Sequence, residues 1–411
     1  MRKIFRFQMT GIWQGKPAFR APYTGTNSLT AGAEASYSFT PTAYLGVRAW
    51  RGSEVYWNPE GIQAVPFSGL HGLGGLTNSE QQKTSGPSLH LYSARLFLRQ
   101  TVGLGGRKLA VDSGLNQLAG MVDARRLVIT IGQMSILDVF DNNAYAHDAR
   151  TQFTNWTFLT YGAFDYAADA RGYTEGAAIE YYRDEWAVRF GRYMGPEQSN
   201  GLALDKNIGR HHGDQLELEH AQTIGDQPGK LRILAFRNTE VMGNFADAMA
   251  FAAAHGGVPN VAAVRKLNHK DGLGISAEQQ LGADIGFFAR ASWADGKSET
   301  YSFTEIENSL TAGVLAQGAR WGRRGDTAGL AVAQNGLGAI HRKYLALGGL
   351  GAFIGDGQLD YSPERIVEVY YDFNVLSGLW FTIGAQRIAN PAYNGDRGPV
   401  DIGTVRLHTE F

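Results

Sequence analysis

Residues 361–411 alternate between apolar and polar side chains with a period of two. The odd positions from Val367 to Val375 are apolar or aromatic, and the same pattern returns twice before Phe411. This period is typical of β-strands with one apolar face. In a soluble sheet, a strand that ended on Phe411 would leave an unpaired edge. We therefore expect a closed barrel, in which this strand pairs with the first one, over 4–13.

The composition fits many strands joined by turns. The chain has 53 glycines and 12 prolines, and 11% of its residues are aromatic, which does not resemble a disordered or linker composition. A net charge of -1 provides no basic field, so we expect no nucleic-acid partner. The absence of cysteine excludes disulfides and thiol catalysis.

No run approaches the ~18 apolar residues of a membrane helix, but alternating barrel strands are compatible with that absence. The segment Met1 to Lys3 leads directly into strand-like residues. We therefore expect a mature sequence whose export signal has been removed.

Alternating segments recur along the whole chain. We expect the second and third to form a hairpin that turns at Thr40-Pro41-Thr42, and we expect 59–87 to be irregular. The alternating segments are 4–13, 29–39, 43–52, 89–101, 126–133, 173–182, 185–194, 214–224, 230–240, 272–281, 284–294, 309–320, 326–336, 367–375, 379–386 and 403–411.

This pattern predicts an all-β protein: a transmembrane antiparallel β-barrel of about 16 strands. Short links alternate with long ones, so we expect short periplasmic turns and long extracellular loops around a single domain, 1–411. A soluble all-β protein, built from two sandwiches or a propeller, is the alternative. It is disfavoured because there is no blade-length repeat and because the apolar faces lack the polar residues that a solvated sheet needs.

Two segments interrupt the strand pattern. Residues 135–170 are rich in Asp, Asn and aromatic residues and do not alternate. Long loops in compact proteins are usually functional, so we expect this loop to fold toward the pore and narrow it. The alanine-rich segment 244–264 is predicted to contain a short helix.

If the apolar faces contact lipid, the opposite faces line the lumen. These faces carry both charge signs in similar numbers, which predicts a hydrated, nearly neutral pore. Arginine, glutamate and aromatic side chains together suit sugars, whose hydroxyls bind planar charged groups and whose C–H faces stack on rings. Glu34, Arg48, Arg95 and Arg99 lie on neighbouring strands near the start of the chain, and we expect them to line the narrowest part of the pore, the constriction. The predicted pore-lining or substrate residues are Glu34, Arg48, Trp50, Arg95, Arg99, Trp156, Glu180, Arg189 and Glu217.

Catalytic and metal-binding motifs are weak. The sequence contains no GxSxG, P-loop or HExxH motif, so we expect neither an enzyme nor a cofactor. Asp138, Asp141 and Asp148 could hold a calcium ion together with backbone oxygens, although their spacing is not that of an EF-hand. For any single lumen charge, pairing with a neighbouring charge is the simpler interpretation.

Several blocks of the sequence resemble the carbohydrate-selective porin family (OprB type). The resemblance spans nearly the whole chain. It implies an outer-membrane barrel of sixteen strands that admits monosaccharides such as glucose, with in-folded loops forming a narrow pore. The blocks are GIWQGKPAFRAPYTGTNSL, SILDVFDNNAYAHDARTQFTNWTFLTYGAFDYAADARGYTEGAAIEYY, RFGRYMGPEQSNGLALDKNIGRHHGDQLELEH, and YSPERIVEVYY through NPAYNGDRGPV to RLHTEF.

The function that this reasoning favours is passive diffusion of small sugars across the bacterial outer membrane. The expected partners are small sugars, outer-membrane lipid and lipopolysaccharide, and the chain is expected to be a monomer or a trimer. A general or anion-preferring porin, an exopolysaccharide export pore and a soluble carbohydrate-binding β protein are the alternatives.

Overall fold

The backbone forms a closed barrel of sixteen antiparallel strands and a separate two-stranded hairpin. The computed structural model describes residues 2–83, 86–303 and 305–411. The predicted fold class, including the number of barrel strands, is confirmed. The strands are β1 (Lys3–Lys16), β2 (Glu34–Trp50), β3 (Ser53–Val65), β4 (Gly86–Gly103), β5 (Lys108–Val111), β6 (Gly120–Asp123), β7 (Arg126–Met134), β8 (Thr174–Arg183), β9 (Trp186–Tyr193), β10 (His212–Ile224), β11 (Gln227–Met242), β12 (Lys266–Gly282), β13 (Ile285–Ala294), β14 (Asn308–Gln317), β15 (Thr327–Gly336), β16 (Glu364–Leu376), β17 (Leu379–Ala389) and β18 (Val400–Glu410).

The barrel closes between β1 and β18, as the terminal alternation predicts. Phe7 and Phe411 exchange two backbone hydrogen bonds, of 2.8 and 3.0 Å. Farther along the ladder, Trp13 lies opposite Val405. Every barrel strand therefore has two neighbours, and within the described residues the barrel sheet has no open edge.

The two faces of the barrel wall differ as the alternation requires. Val369 and Ile383 point outward and are 47% and 51% exposed, whereas Glu368 and Arg406 point inward and are 3% and 1% exposed. Arginines are among the largest fully buried side chains of the structure, the reverse of the usual distribution in soluble proteins. The apolar exterior suits hydrocarbon, and the polar interior suits a lumen.

The two ends of the barrel carry links of different length. At one end, called the short-turn end, five links are two-residue turns, but the link from β4 to β7 spans 104–125 and contains β5 and β6. At the other end, called the long-loop end, the longest link is 135–173. Within the described part of the chain, no helix is long and apolar enough to cross a membrane.

Short helices lie in the links. Asn244 caps α2, because its side chain accepts hydrogen bonds from Ala246 and Asp247, and the predicted helix within 244–264 is confirmed. The α-helices are α1 (Trp156–Leu159), α2 (Phe245–His255) and α3 (Ala339–Ala346), and single 3-10 turns occur at Phe67–Leu70, Ser79–Lys83, Ile136–Asp138, Val261–Val264, Gly318–Trp321 and Pro391–Tyr393.

The predicted hairpin with a turn at Pro41 is wrong, because β2 continues through this residue. Pro41 lies opposite Met9 of β1, while the β2–β3 pairing passes from Phe39 to Thr42 without a pair between them. Proline lacks a backbone N–H, and the gap on the β3 side accommodates this loss.

The predicted irregular segment 59–87 is also wrong in its first part. Strand β3 extends to Val65 through Pro59, where the β3–β4 register shifts. One predicted hairpin is thus a single strand, and one strand was missed, so the predicted number of strands is unchanged. Residues 84–85 of the segment lie outside the described residues.

Candidate functional site

The link 135–173 crosses the lumen and is held by charged side chains of the barrel wall. Glu217 of β10 accepts a hydrogen bond of 2.8 Å from the backbone N–H of Asp141. Glu368 of β16 accepts hydrogen bonds from the backbone N–H groups of Thr154 and Asn155, at 2.7 and 3.0 Å. Wall carboxylates thus satisfy donors of a loop that has no strand partner.

Wall arginines hold the carbonyls of the same loop. Arg406 of β18 donates to the carbonyls of Ala149 and Gln152, at 3.1 and 2.6 Å. Arg290 of β13 donates to the carbonyl of Phe158 at 3.0 Å and pairs with Asp141 at 2.9 Å. The inward-facing charges therefore fix the loop across the pore, in addition to lining the lumen.

A cavity of 330 Å³ lies between this loop and the wall formed by β1, β2 and β4; we call it the constriction cavity. Its aromatic surface comes from Tyr44, Trp156, Tyr166, Tyr173 and Phe303. The charged side chains of its lining comprise equal numbers of acidic and basic residues. Its charged lining residues are Glu80, Asp138 and Asp148, together with Arg95, Arg150 and Arg171.

Arg150 lies at the centre of a hydrogen-bond network on one side of the constriction cavity. Its guanidinium donates to Glu60 at 2.8 Å, to Thr42 at 2.9 Å and to Gln8 at 3.0 Å, and it pairs with Glu80 at 3.1 Å. These groups lie on β1, β2, β3 and the 66–85 link. The network connects the loop to these wall elements, so Arg150 and its partners together determine the position of the loop against the wall on this side.

A second pair faces the cavity from β4. Arg95 binds Asp138 through two hydrogen bonds of 2.7 Å each, and its guanidinium lies 5.1 Å from the centre of the Tyr173 ring. Arg171 lies 4.4 Å from the centre of the Tyr92 ring. Planar donors beside aromatic rings are a suitable surface for a polyhydroxylated solute with apolar C–H faces.

Aromatic stacking supports the loop from the long-loop end. Trp156 is 2% exposed, and its ring is stacked 4.7 Å from that of Phe303 and 6.1 Å from that of Tyr166. Stacked rings of this kind add stability beyond their buried area, so these three rings stabilise the loop where it borders the cavity.

A larger cavity of 1030 Å³, called the vestibule, opens below the constriction cavity toward the short-turn end. Arg99 donates to the carbonyl of Asn116 at 2.9 Å and lies 5.4 Å from the centre of the Tyr56 ring. Arg126 lies 3.8 Å from the centre of the Tyr182 ring. Among the described residues, neither arginine forms an ion pair. The vestibule therefore contains cations that are held by rings and carbonyls.

The structure distributes the nine predicted pore residues over the whole height of the barrel. Arg95 and Trp156 line the constriction cavity, while Arg48, Arg99, Glu180 and Arg189 line the vestibule. Arg189 binds Glu180 at 3.1 Å and Glu217 at 2.8 Å, so Glu217 belongs to a buried network of the wall.

Glu34 and Trp50 lie at opposite ends of β2, so the expectation that Glu34 joins Arg48 at one constriction is wrong. Glu34 accepts a hydrogen bond from Ser68 near the long-loop end. Trp50 is 57% exposed beside a turn, because the β2–β3 register shifts after Arg48, and its assignment to the lumen face is wrong. Since a strand rises about 3.3 Å per residue, shared parity does not bring distant residues together.

The three aspartates proposed for calcium have separate partners. Asp138 binds Arg95, Asp141 binds Arg290, and Asp148 accepts hydrogen bonds from the backbone of Arg150 and from Thr151. In residues 2–83, 86–303 and 305–411, no group of three or more His, Asp or Glu side chains could hold a metal ion.

Sequence reasoning missed Arg150, Arg171 and Glu60, and it missed the hairpin residues of 104–125. Arg150 and Arg171 lie in or beside a loop, where alternation assigns no face. Glu60 follows Pro59, and the proline obscured its strand. The length of the link between β4 and β7 was an available signal for the hairpin.

Comparison with known proteins agrees with this architecture. The sequence matches the family described as "Carbohydrate-selective porin, OprB family" over residues 45–411. The high-pH structure of Pseudomonas putida OprB is similar, with a TM-score of 0.74 and 15% identity over 100% of this chain and 94% of that one. The low-pH structure of that protein gives a TM-score of 0.54 and 12% identity over 100% and 93%.

At these identities the structural likeness concerns the fold alone. No curated protein matches the sequence. Porins are channels and not enzymes, and proteins of this family are located in the outer membrane. The family match covers most of the chain, including the in-folded loop and all strands from β3 to β18 but not β1 or the first part of β2, and the chain therefore belongs to the carbohydrate-selective porin, OprB family.

Proposed function

We propose that this protein is an outer-membrane channel for the passive diffusion of small, neutral carbohydrates of monosaccharide size. The observation that carries the proposal is the constriction cavity, where paired charges of both signs lie beside aromatic rings. Bidentate pairs such as Arg95 with Asp138 present donors and acceptors in a fixed geometry. Such a surface can exchange hydrogen bonds with the hydroxyls of a sugar as it passes.

The family and the short turns support an orientation in which the short-turn end faces the periplasm. The apolar exterior is then in contact with membrane lipid, and the long links are in contact with lipopolysaccharide. Sugars would enter through the long-loop end, pass the constriction cavity and leave through the vestibule. Both the single-domain organisation and the narrowing role of 135–173 are part of this proposal.

Swelling of proteoliposomes tests the sugar preference. We expect faster swelling with glucose than with a zwitterionic amino acid of similar size, and slower swelling with a disaccharide. Arg95→Gln should reduce the difference, because it removes the paired donor of the cavity. Arg387→Gln is the matched control, since Arg387 binds Asp401 on the exposed outer face. Equal rates for glucose and the amino acid would contradict the proposal.

A general or anion-preferring porin is the second candidate, and one observation favours it. Arg99 and Arg126 carry charges that no carboxylate of the described residues neutralises by an ion pair, and both face the vestibule. Reversal potentials in a salt gradient distinguish the two functions. A strong anion preference that disappears in Arg99→Gln/Arg126→Gln, together with no preference among neutral solutes, would favour the second candidate.

A further inference from the structure

The link between β4 and β7 differs from the other links at the short-turn end because it returns into the barrel. After β4, Gly105 and Gly106 have φ angles of +90° and +87°, in the region that glycine adopts most readily. They turn the chain inward, and β5 pairs with β6 to form a hairpin. We call residues 112–119 the hairpin tip.

Hydrogen bonds attach the tip to the inner wall. The side-chain amides of Asn116 and Asn58 donate to each other, at 2.9 and 3.0 Å. Arg99 donates to the carbonyl of Asn116 at 2.9 Å, and Arg6 donates to the hydroxyl of Ser113 at 3.2 Å. These wall residues belong to β1, β3 and β4, so the tip lies within the lumen.

An apolar anchor fixes the tip at this height. Leu118 is 2% exposed and belongs to the same buried apolar cluster as Phe97 and Val139. Its backbone N–H donates to the hydroxyl of Tyr56 at 3.0 Å. Burial of this leucine side chain away from water is stabilising, which favours the inserted position of the hairpin.

The tip lies where the two cavities meet. Asn116 of the tip and Leu137, Asp138 and His147 of the in-folded loop line both the constriction cavity and the vestibule. Leu115 lines the constriction cavity as well. A solute that moves from one cavity to the other therefore passes between the hairpin tip and the loop.

We propose that Leu115 and Asn116 form a second selectivity element, in series with the constriction, that limits the size of the solutes that pass. This inference rests on the proposed function as a diffusion channel. The mutual hydrogen bonds with Asn58 hold the Asn116 side chain in place, and Leu115 offers an apolar surface. The element therefore acts mainly by limiting the width of the passage.

The chain contains no cysteine, so a single introduced thiol tests the position of the tip. Leu115→Cys places the thiol at the junction of the cavities. Ala110→Cys is the matched control, because Ala110 is an exposed residue of the same hairpin and lines neither cavity. Both variants are reacted with a small and a large methanethiosulfonate reagent, and mass spectrometry verifies the modification.

With Leu115→Cys, we expect the large reagent to lower single-channel conductance at least about twofold, and the small reagent to lower it less. Swelling with glucose should fall in parallel, and the modified control should behave as the unmodified protein. Full conductance in Leu115→Cys after complete modification by the large reagent would overturn the proposal. An equal loss of conductance in the control would also overturn it, since the effect would then not belong to the tip.

A shortened hairpin, with residues 109–122 replaced by two glycines, supplies a second measurement. We expect a higher conductance and measurable swelling with a disaccharide, and an unchanged disaccharide cutoff in the folded variant would contradict a role in size selection. Ion conductance reports on the tip whichever solute is transported, whereas the swelling preference reports on the proposed function. The two ideas can therefore fail separately.

Discussion

Two segments enter the lumen from opposite ends, and they are held there in different ways. The loop 135–173 is attached by charged wall residues such as Arg290, Glu368 and Arg406. The hairpin 104–125 is attached by a pair of neutral amides, two arginine hydrogen bonds and Leu118. The loop has ion pairs to the wall and more charge-assisted hydrogen bonds, which are about twice as strong as neutral ones, so we expect the loop to be held more firmly than the hairpin.

The two segments also differ in how the arginines beside them are compensated. On the loop side, arginines and carboxylates form ion pairs with each other or hydrogen bonds with backbone groups, and they hold the loop in place. On the hairpin side, Arg99 and Arg126 are held by rings and carbonyls and retain their field. The residue type alone therefore does not reveal whether an arginine fixes the wall or acts on the solute.

The largest expected effect is the loss of an arginine that holds the loop. Arg290→Gln leaves Asp141, which is fully buried, without its ion pair, and breaking a buried pair costs about 3–5 kcal/mol. We expect the loop to leave the lumen, which raises single-channel conductance and makes 135–173 susceptible to proteolysis in the folded barrel. Arg387→Gln, on the outer face, should cost less than about 1 kcal/mol. An unchanged conductance in Arg290→Gln would show that the loop does not depend on this charge.

A smaller effect is expected when a wall carboxylate becomes an amide. In Glu368→Gln, only one oxygen remains to accept from Thr154 and Asn155, so one charge-assisted hydrogen bond is lost. We expect a cost of about 1.5–3 kcal/mol, visible as faster hydrogen exchange of the loop amides. Asp401→Asn, at an exposed site of the outer face, should leave this exchange unchanged. If both variants exchanged alike, the loop would not be held by Glu368.

The neutral amide pair of the hairpin should contribute less. Asn116→Ala leaves the buried amide of Asn58 without its partner, and we expect a cost of about 1 kcal/mol. Current fluctuations should increase because the tip is less firmly attached. The double variant Asn58→Ala/Asn116→Ala should be no less stable than the single one, since no unpaired amide remains. Fully additive costs would refute the pairing.

Acidification should give the smallest effect and should act on the loop alone. Burial lowers the pKa of His147, so the folded loop favours the neutral imidazole. The stabilisation is complete above the unfolded pKa of about 6.5 and is lost as pH falls through the lower folded pKa. We expect a slightly lower melting temperature at pH 5.5 than at pH 7.5, and a smaller difference in His147→Gln. The hairpin contains no histidine, and Ala110 lines neither cavity, so the reactivity of the thiol in Ala110→Cys, corrected for thiol ionisation, should not follow this change.

The strands could be predicted because most of them show the alternation of apolar and polar residues within their own sequence. Alternation along β16, β17 and β18 identified the two faces of the wall, and the closure of β1 on β18 followed from them. The prediction failed where proline interrupts this rule, at Pro41 and Pro59. At both positions the strand pairing has a gap or a register shift, so no hydrogen bond from the proline nitrogen is needed. The sequence does not show with which neighbouring strand this gap or shift occurs.

The candidate site was predicted only in part. Of the four residues expected at the constriction, Arg95 lines the constriction cavity, Arg48 and Arg99 line the vestibule, and Glu34 lies near the long-loop end. Arg150 and Asn116 were not identified. Strand parity tells on which side of the wall a residue lies but not at which height. Loop residues such as Arg150 follow no period, so parity gives no information about them.

The amino-acid sequence by itself determined the barrel, because the period of two fixes which face of each strand meets water and which meets lipid. Only the tertiary structure decided at which position the two in-folded links lie in the lumen. That position depends on partners distant in the chain, such as Arg150 with Glu60 and Asn116 with Asn58. These residues become neighbours only when the barrel closes and two links enter the same lumen. Buried polar groups there form hydrogen bonds with the polar groups that lie closest to them.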